Sequence, residues 1–182
     1  MEMLPQPSGG SARSRHGEHS SSGESSRGKF GISAVKYRVG APPLPPLPYK
    51  YECYGVPKIQ ELEARFGDIF ARQAEATLHH HQITLFQPEE EYEEINVGID
   101  PGFYADCENQ PTLCQRSLPE TEDSEIVLSI IVNWEADSLQ AWEAAIRDIK
   151  SFIDQKLDDA GLDCFEIGVE IMAPELFNST KD

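Results

Sequence analysis

The chain has 182 residues, enough for one domain with appendages, and 39% of them are hydrophobic. Its net charge of −17 is unevenly divided: residues 1–50 carry seven Lys/Arg and three Asp/Glu, whereas residues 51–182 carry eight and twenty-nine. An acidic body repels phosphate backbones, which argues against nucleic-acid binding by the folded domain. No apolar run approaches the roughly 18 residues of a membrane span, so no membrane partner is expected.

The start of the chain, MEMLPQPSGG, contains no apolar stretch of the kind that a signal peptide needs. The four cysteines, Cys53, Cys107, Cys114 and Cys164, show neither zinc-ligand spacing nor CxxC spacing. Together these features predict a cytoplasmic or nuclear protein with reduced thiols.

The N-terminal part of the chain lacks the composition of a folded domain. Residues 1–29 are rich in Ser, Gly and Arg and nearly free of large apolar side chains, so they cannot offset the entropy of folding. The stretch AVKYRV, residues 34–39, alternates apolar and charged side chains, which favours a short half-exposed strand that pairs with a sheet edge in this protein or in a partner. We predict a disordered basic tail over residues 1–40.

A proline-rich stretch, APPLPPLPYK, follows at residues 41–50. Proline fixes φ and lacks an amide donor, so these residues favour a left-handed polyproline II helix over an α-helix or a strand. We therefore predict a semi-rigid polyproline linker over residues 41–49, and behind it an acidic α/β domain over residues 50–182.

This linker contains the patterns that proline-recognising modules read. Pro45, Pro48 and Lys50 fit the PxxPx[KR] pattern of ligands for Src-homology-type modules, in which the lysine supplies the charge. The pattern PPLP, which WW-type modules read, occurs at residues 42–45 and again at residues 45–48. A protein-binding site is predicted at Pro45, Pro48 and Lys50, and a plain spacer is the alternative.

The first half of the body predicts one helix and two short strands. Pro57 suits the first position of a helix, and apolar residues then recur at steps of three and four towards His81. The stretches ITLF and EINVGI read as short strands, and residues 104–124 lack any period and predict a long loop.

The last third predicts a strand–helix–strand unit. EIVLSIIVNW is an apolar run typical of a strand covered on both faces, and a helical apolar stripe then leads to Gly161. CFEIGVEIMAP alternates, with Glu166 and Glu170 on the polar side, so the last strand is predicted to be one-sided or an edge. A crossover of this length makes the two strands parallel. Either earlier strands complete the sheet, or the chain is the front half of a longer architecture.

The predicted fold class is α+β or α/β: a small sheet with this C-terminal unit and one further helix, behind a disordered N-terminus. Residues 125–177 resemble a segment of uncharacterised proteins of filamentous fungi, with an apolar strand, a helix that opens with tryptophan and a similar strand end. The resemblance implies an α+β fold, no known activity and a similar second half that this chain lacks, hence a domain truncated at its C-terminus. It rests on Trp142, Ile146, Val169, Glu170, Ile171, Ala173, Pro174, Glu175 and Leu176.

Sequence patterns for catalysis, cofactors and metals are missing. His79, His80 and His81 are consecutive and diverge by about 100° on a helix, so they lack the spacing of a helical metal pair. Neither GxSxG, GxGxxG nor GxxxxGK[ST] occurs in the sequence. No catalytic, cofactor-binding or metal-ligating residue is predicted, and a non-enzymatic protein is favoured.

The sequence therefore favours an interaction or scaffolding protein that docks through its proline-rich segment. The alternative is a small-ligand-binding or enzymatic domain, with a pocket where the strands of residues 125–173 end. By analogy with open α/β sheets, that pocket would use two sets of residues: Asn133, Trp134 and Glu135, and Met172, Ala173, Pro174 and Glu175.

Overall fold

The computed structural model describes residues 31–44, 50–52, 56–87, 110–117 and 124–175. In these ranges six strands form one mixed sheet, and the helices share an apolar core with one of its faces. This architecture confirms the predicted fold class, helices combined with a small sheet of the α+β type.

Along the chain, strands occur before, between and after the helices. The strands are β1 (Ser33–Val35), β2 (Arg38–Ala41), β3 (Lys50–Glu52), β4 (Thr112–Ser117), β5 (Ser124–Ile131) and β6 (Ile167–Met172). The helices are α1 (Pro57–Leu62), α2 (Asp68–His80) and α3 (Ser138–Asp159), with a π-helical segment, Glu63–Gly67, joining the first two.

The C-terminal strand–helix–strand unit forms as predicted. β5 and β6 pair in parallel, from Ile126 opposite Ile167 to Ile131 opposite Met172. The crossover helix α3 buries its apolar stripe, as a sequence with three- and four-residue steps requires. Gly161 follows the helix with a φ of +69°, the left-handed conformation that glycine adopts at the least cost.

β6 is an interior strand, because the sheet order is β1-β2-β6-β5-β4-β3. The prediction that the last strand is one-sided or an edge is therefore wrong. All of its residues are buried, including Glu170, which the alternation had placed on the polar side. On the side of β6 away from β5, the earlier strand β2 pairs antiparallel with it.

The folded unit begins before the predicted boundary at residue 50. β1 and β2 form a hairpin, so the tail predicted for residues 1–40 and the linker predicted for residues 41–49 both contain strand residues. The alternating AVKYRV is not one strand, because the chain reverses at Lys36 and Tyr37, where Tyr37 takes a φ of +68°. The remainder of the predicted tail, residues 1–30, lies outside the described residues.

Four further predictions for the first half of the body differ in outcome. The helix from Pro57 is confirmed and ends at His80, although it contains the π-helical segment. The loop predicted for residues 104–124 is wrong, since it contains β4 and the first residue of β5. ITLF forms only a single bridge, Leu85 with Val132. The stretch EINVGI lies outside the described residues.

Candidate functional site

The predicted docking residues divide between the described and the undescribed parts of the chain. Pro45 and Pro48 lie outside the described residues. Lys50 is the first residue of β3, and it pairs with Ser117 of β4 in the antiparallel ladder. β3 is the last strand of the sheet order, so Lys50 lies at an edge of the sheet.

The beginning of the proline-rich stretch contacts the sheet face that points away from the helices. A methyl group on Gly168 would lie 3.4 Å from Pro42 Cδ, and one on Gly40 would lie only 2.2 Å from Leu44 Cδ2. Both glycines therefore make room for residues of the proline-rich stretch. The Leu44 amide donates a hydrogen bond to Ser33 Oγ at 2.7 Å, which ties Leu44 to the edge strand β1.

The strand ends of the C-terminal unit border one open cavity of about 430 Å³. Asn133 and Glu135 line it, as predicted, together with the start of α3 and the segment that leaves α2. The Ser138 hydroxyl accepts a hydrogen bond from the Glu135 amide at 2.8 Å, which fixes the turn into α3. The lining residues are His81, Gln82, Ile83, Thr84, Asn133, Glu135, Ala136, Asp137, Ser138, Ala141 and Trp142.

The other predicted strand end is closed by the β1–β2 hairpin. The Ala173 amide donates to the Tyr37 carbonyl oxygen at 2.9 Å, and Met172, Ala173 and Pro174 are buried. The Tyr37 ring packs edge-on against Trp134, with 4.7 Å between ring centroids. The two sets of predicted pocket residues are thus not brought together around one cavity.

One of the three histidines makes a specific contact between helices. His81 Nε2 lies 2.8 Å from Asp148 Oδ2, which connects the end of α2 to the middle of α3. His79 and His80 are exposed in the last turn of α2. Within the described ranges, no group of three or more His, Cys, Asp and Glu side chains could hold a metal ion.

A buried ion cluster crosses the sheet on the face away from the helices. Glu170 is 0% exposed; its Oε1 accepts from Arg38 Nε at 2.5 Å and its Oε2 accepts from Arg116 Nη1 at 2.9 Å. Arg116 also bonds the half-exposed Glu125. Two arginines on β2 and β4 are thereby joined to one carboxylate on β6, across strands that are not sequence neighbours.

Sequence reasoning missed this cluster. Glu170 alternates with apolar residues, the usual pattern of a half-exposed strand, and its partner Arg38 is 132 residues away. A weak signal was present, since Arg38 begins β2 and Glu170 lies within β6, and both strands are otherwise apolar. Each of them requires a partner if it is buried. Both carboxylate oxygens of Glu170 accept hydrogen bonds from arginines, so the cluster joins strands of the sheet.

No protein family, curated protein or solved structure matches this chain. The resemblance of residues 125–177 to fungal proteins therefore stays a prediction. None of the helices in the described part of the chain is long and apolar enough to cross a membrane.

Proposed function

We propose that this chain is a non-enzymatic interaction protein that docks a proline-recognising module, of the WW or Src-homology type, through Pro45, Pro48 and Lys50. The observation that carries the proposal is the distance between the anchored ends of the proline-rich stretch. β6, β5 and β4 separate β2 from β3, which puts these strands about 19 Å apart at ~4.8 Å per spacing.

That separation favours the extended conformation that such modules bind. Because Leu44 is itself held on β1 and β2, the crossing is left to the six steps from Leu44 to Lys50, which rise about 19 Å as polyproline II but only about 9 Å as an α-helix. A segment that must reach across the sheet is therefore suited to polyproline II, and holding both ends in strands reduces the entropy that binding costs. In this proposal the sheet holds the two ends of the segment, and the module binds the residues between them.

The position of Lys50 distinguishes the two types of module. The Src-homology pattern includes Lys50, which already pairs with Ser117 in the β-ladder. The second PPLP pattern, residues 45–48, ends before β3 begins. A WW-type module can therefore read its whole pattern without disturbing the sheet, and it is the partner that we favour.

The test is titration of an isolated WW module that reads PPLP, and of an Src-homology module, into the full chain. Pro45→Ala/Pro48→Ala is expected to weaken WW binding at least tenfold, because both proline ridges are lost. Pro5→Ala/Pro7→Ala removes two prolines outside the patterns and should leave binding unchanged. Lys50→Ala should affect only the Src-homology module. Binding that ignores the first double substitution contradicts the proposal.

The cavity at the end of β5 supports a second candidate function, the binding of a small organic cation. Its volume of about 430 Å³ is in the range of small-molecule sites. Glu135 and Asp137 contribute exposed carboxylates, and among the described residues no Lys or Arg lines the cavity. The chain's net charge of −17 adds a field that attracts cations.

This candidate predicts that a ligand which binds the folded chain raises its melting temperature. Arginine or 1,4-diaminobutane at millimolar concentration should produce a concentration-dependent increase, which acetate should not produce. Glu135→Gln should reduce that increase, whereas Glu166→Gln, an exposed carboxylate outside the cavity, should not. No increase with either amine removes this candidate without affecting the docking proposal.

A further inference from the structure

The two PPLP patterns are not equivalent, because Pro42 and Leu44 of the first pattern already contact the sheet. Pro42 and Leu44 lie against the glycines of β6 and β2, and the Leu44 amide bonds the Ser33 hydroxyl on β1. Pro43, between them, is exposed. Two apolar contacts and one hydrogen bond thus fix Pro42 and Leu44, the first and third residues of this pattern, to three different strands.

These contacts use the atoms that a module would need. Proline-recognising modules receive the apolar ridge of a polyproline ligand in a groove lined by aromatic side chains. Leu44 cannot enter such a groove while its Cδ2 lies 2.2 Å from the position of a β-carbon on Gly40. The sheet and the module compete for the same side chains of Pro42 and Leu44.

We propose that residues 42–44 are an internal ligand of the sheet, so that the fold itself inhibits the first PPLP pattern. A WW-type module reads residues 42–45 only in the fraction of molecules whose strap, residues 42–44, has left the sheet. Its apparent affinity for that pattern is lowered by that fraction. The inference rests on the proposed docking function and adds which of the two patterns the folded chain offers.

The first experiment isolates the first pattern. Pro48→Ala destroys the second PPLP pattern and leaves residues 42–45 intact. The isolated WW module is titrated into the full chain with this substitution and into a peptide of residues 41–50 with the same substitution. The peptide is expected to bind at least tenfold more tightly, which corresponds to about 1.4 kcal/mol. Equal affinities overturn the proposal.

Two further substitutions in the Pro48→Ala chain loosen the strap without touching the pattern. Gly40→Ala places a methyl group on Leu44, and Ser33→Ala removes the acceptor of the Leu44 amide. Both should raise the affinity towards that of the peptide. Ser151→Ala removes a hydroxyl that donates to the Arg147 carbonyl within α3, and it should change nothing. Unchanged affinity in both loosened chains contradicts the proposal, and circular dichroism confirms that each chain is folded.

A measurement without any partner separates this inference from the docking function. In the full chain the Leu44 amide is expected to exchange its hydrogen slowly, and Ser33→Ala should accelerate that exchange at least tenfold. A Leu44 amide that exchanges at the rate of an unstructured peptide overturns the inference, whatever the module does. A protected Leu44 combined with a peptide that does not bind overturns the docking function and leaves the internal contact standing.

Discussion

The two flanks of β6 are held by different chemistry. On the face towards the helices, here called the helix flank, α3 packs across β6 and β2, and its buried stripe is almost entirely aliphatic and aromatic. On the opposite face, here called the hairpin flank, Glu170 of β6 bonds Arg38 of the hairpin strand β2 and Arg116 of β4. The helix flank is held by apolar contacts, whereas the hairpin flank depends on charged residues from three separate strands.

This difference predicts how much a substitution on each flank destabilises the fold. Apolar contacts are non-directional, so a lost methyl group costs in proportion to the surface and the cavity that it leaves. A buried ion pair costs little when both partners are present and a great deal when one is removed, since a charge then remains in a medium that solvates it poorly. The hairpin flank should therefore fail abruptly and the helix flank gradually.

The largest expected effect comes from removing the hairpin altogether. A chain of residues 50–182 lacks Val39, Ala41 and Arg38, and it leaves β6 as an unprotected edge. The loss of a buried ion-pair partner alone costs ~3–5 kcal/mol, which approaches the ~5–15 kcal/mol that stabilises a whole domain. Thermal melts followed by circular dichroism should show no cooperative transition for residues 50–182 and a cooperative one for residues 31–182. Equal melting of both chains contradicts the role given to the hairpin.

The next effect is that of neutralising Glu170 within the intact chain. Glu170→Gln keeps the shape of the side chain but removes the buried carboxylate that Arg38 and Arg116 share, and only Arg116 keeps the contact with Glu125 described above, so the expected cost is ~3–5 kcal/mol. Urea denaturation should show this as a lower midpoint with an unchanged slope. Glu166→Gln, the same chemical change at an exposed position, should alter the free energy of unfolding by less than about 0.5 kcal/mol. A small effect at Glu170 would remove the contrast between the flanks.

The same contrast explains which parts of the fold were predictable. The apolar stripe of α3 was predictable from sequence because its side chains repeat every three or four residues within one segment. β1 and β2 are too short for a period, and their turn at Tyr37 uses a left-handed residue that is neither Gly nor Asn. The pairing within the ion cluster was not predictable, because alternation places Glu170 on a face without revealing that Arg38 faces it. Two residues that line the cavity, Asn133 and Glu135, were predicted because they follow the first strand of the C-terminal unit. The opposite wall was not predicted, because its position depends on where α2 ends.

A conservative change on the helix flank provides the matched comparison. Ile149 on α3 is 0% exposed, like Glu170, and Ile149→Val also preserves most of the side chain. Removing one buried methylene here should cost only ~0.5–1.5 kcal/mol. The two substitutions are measured by the same urea titration, on the same day and in the same buffer. If Ile149→Val costs as much as Glu170→Gln, burial alone sets the cost and the chemistry of the flank does not.

The smallest expected effect concerns a side-chain hydrogen bond on the helix side that is partly open to solvent. His81 and Asp148 join α2 to α3, but Asp148 is 56% exposed, so water screens the pair and competes for its hydrogen bond. His81→Gln and Asp148→Asn should each change the free energy of unfolding by no more than about 1 kcal/mol, and the double substitution by little more than the larger single one. If instead the pair proves as costly to break as Arg38–Glu170, burial does not explain the sensitivity of the hairpin flank. A double-mutant cycle at low and high salt decides this, since only an exposed pair should weaken as salt is added.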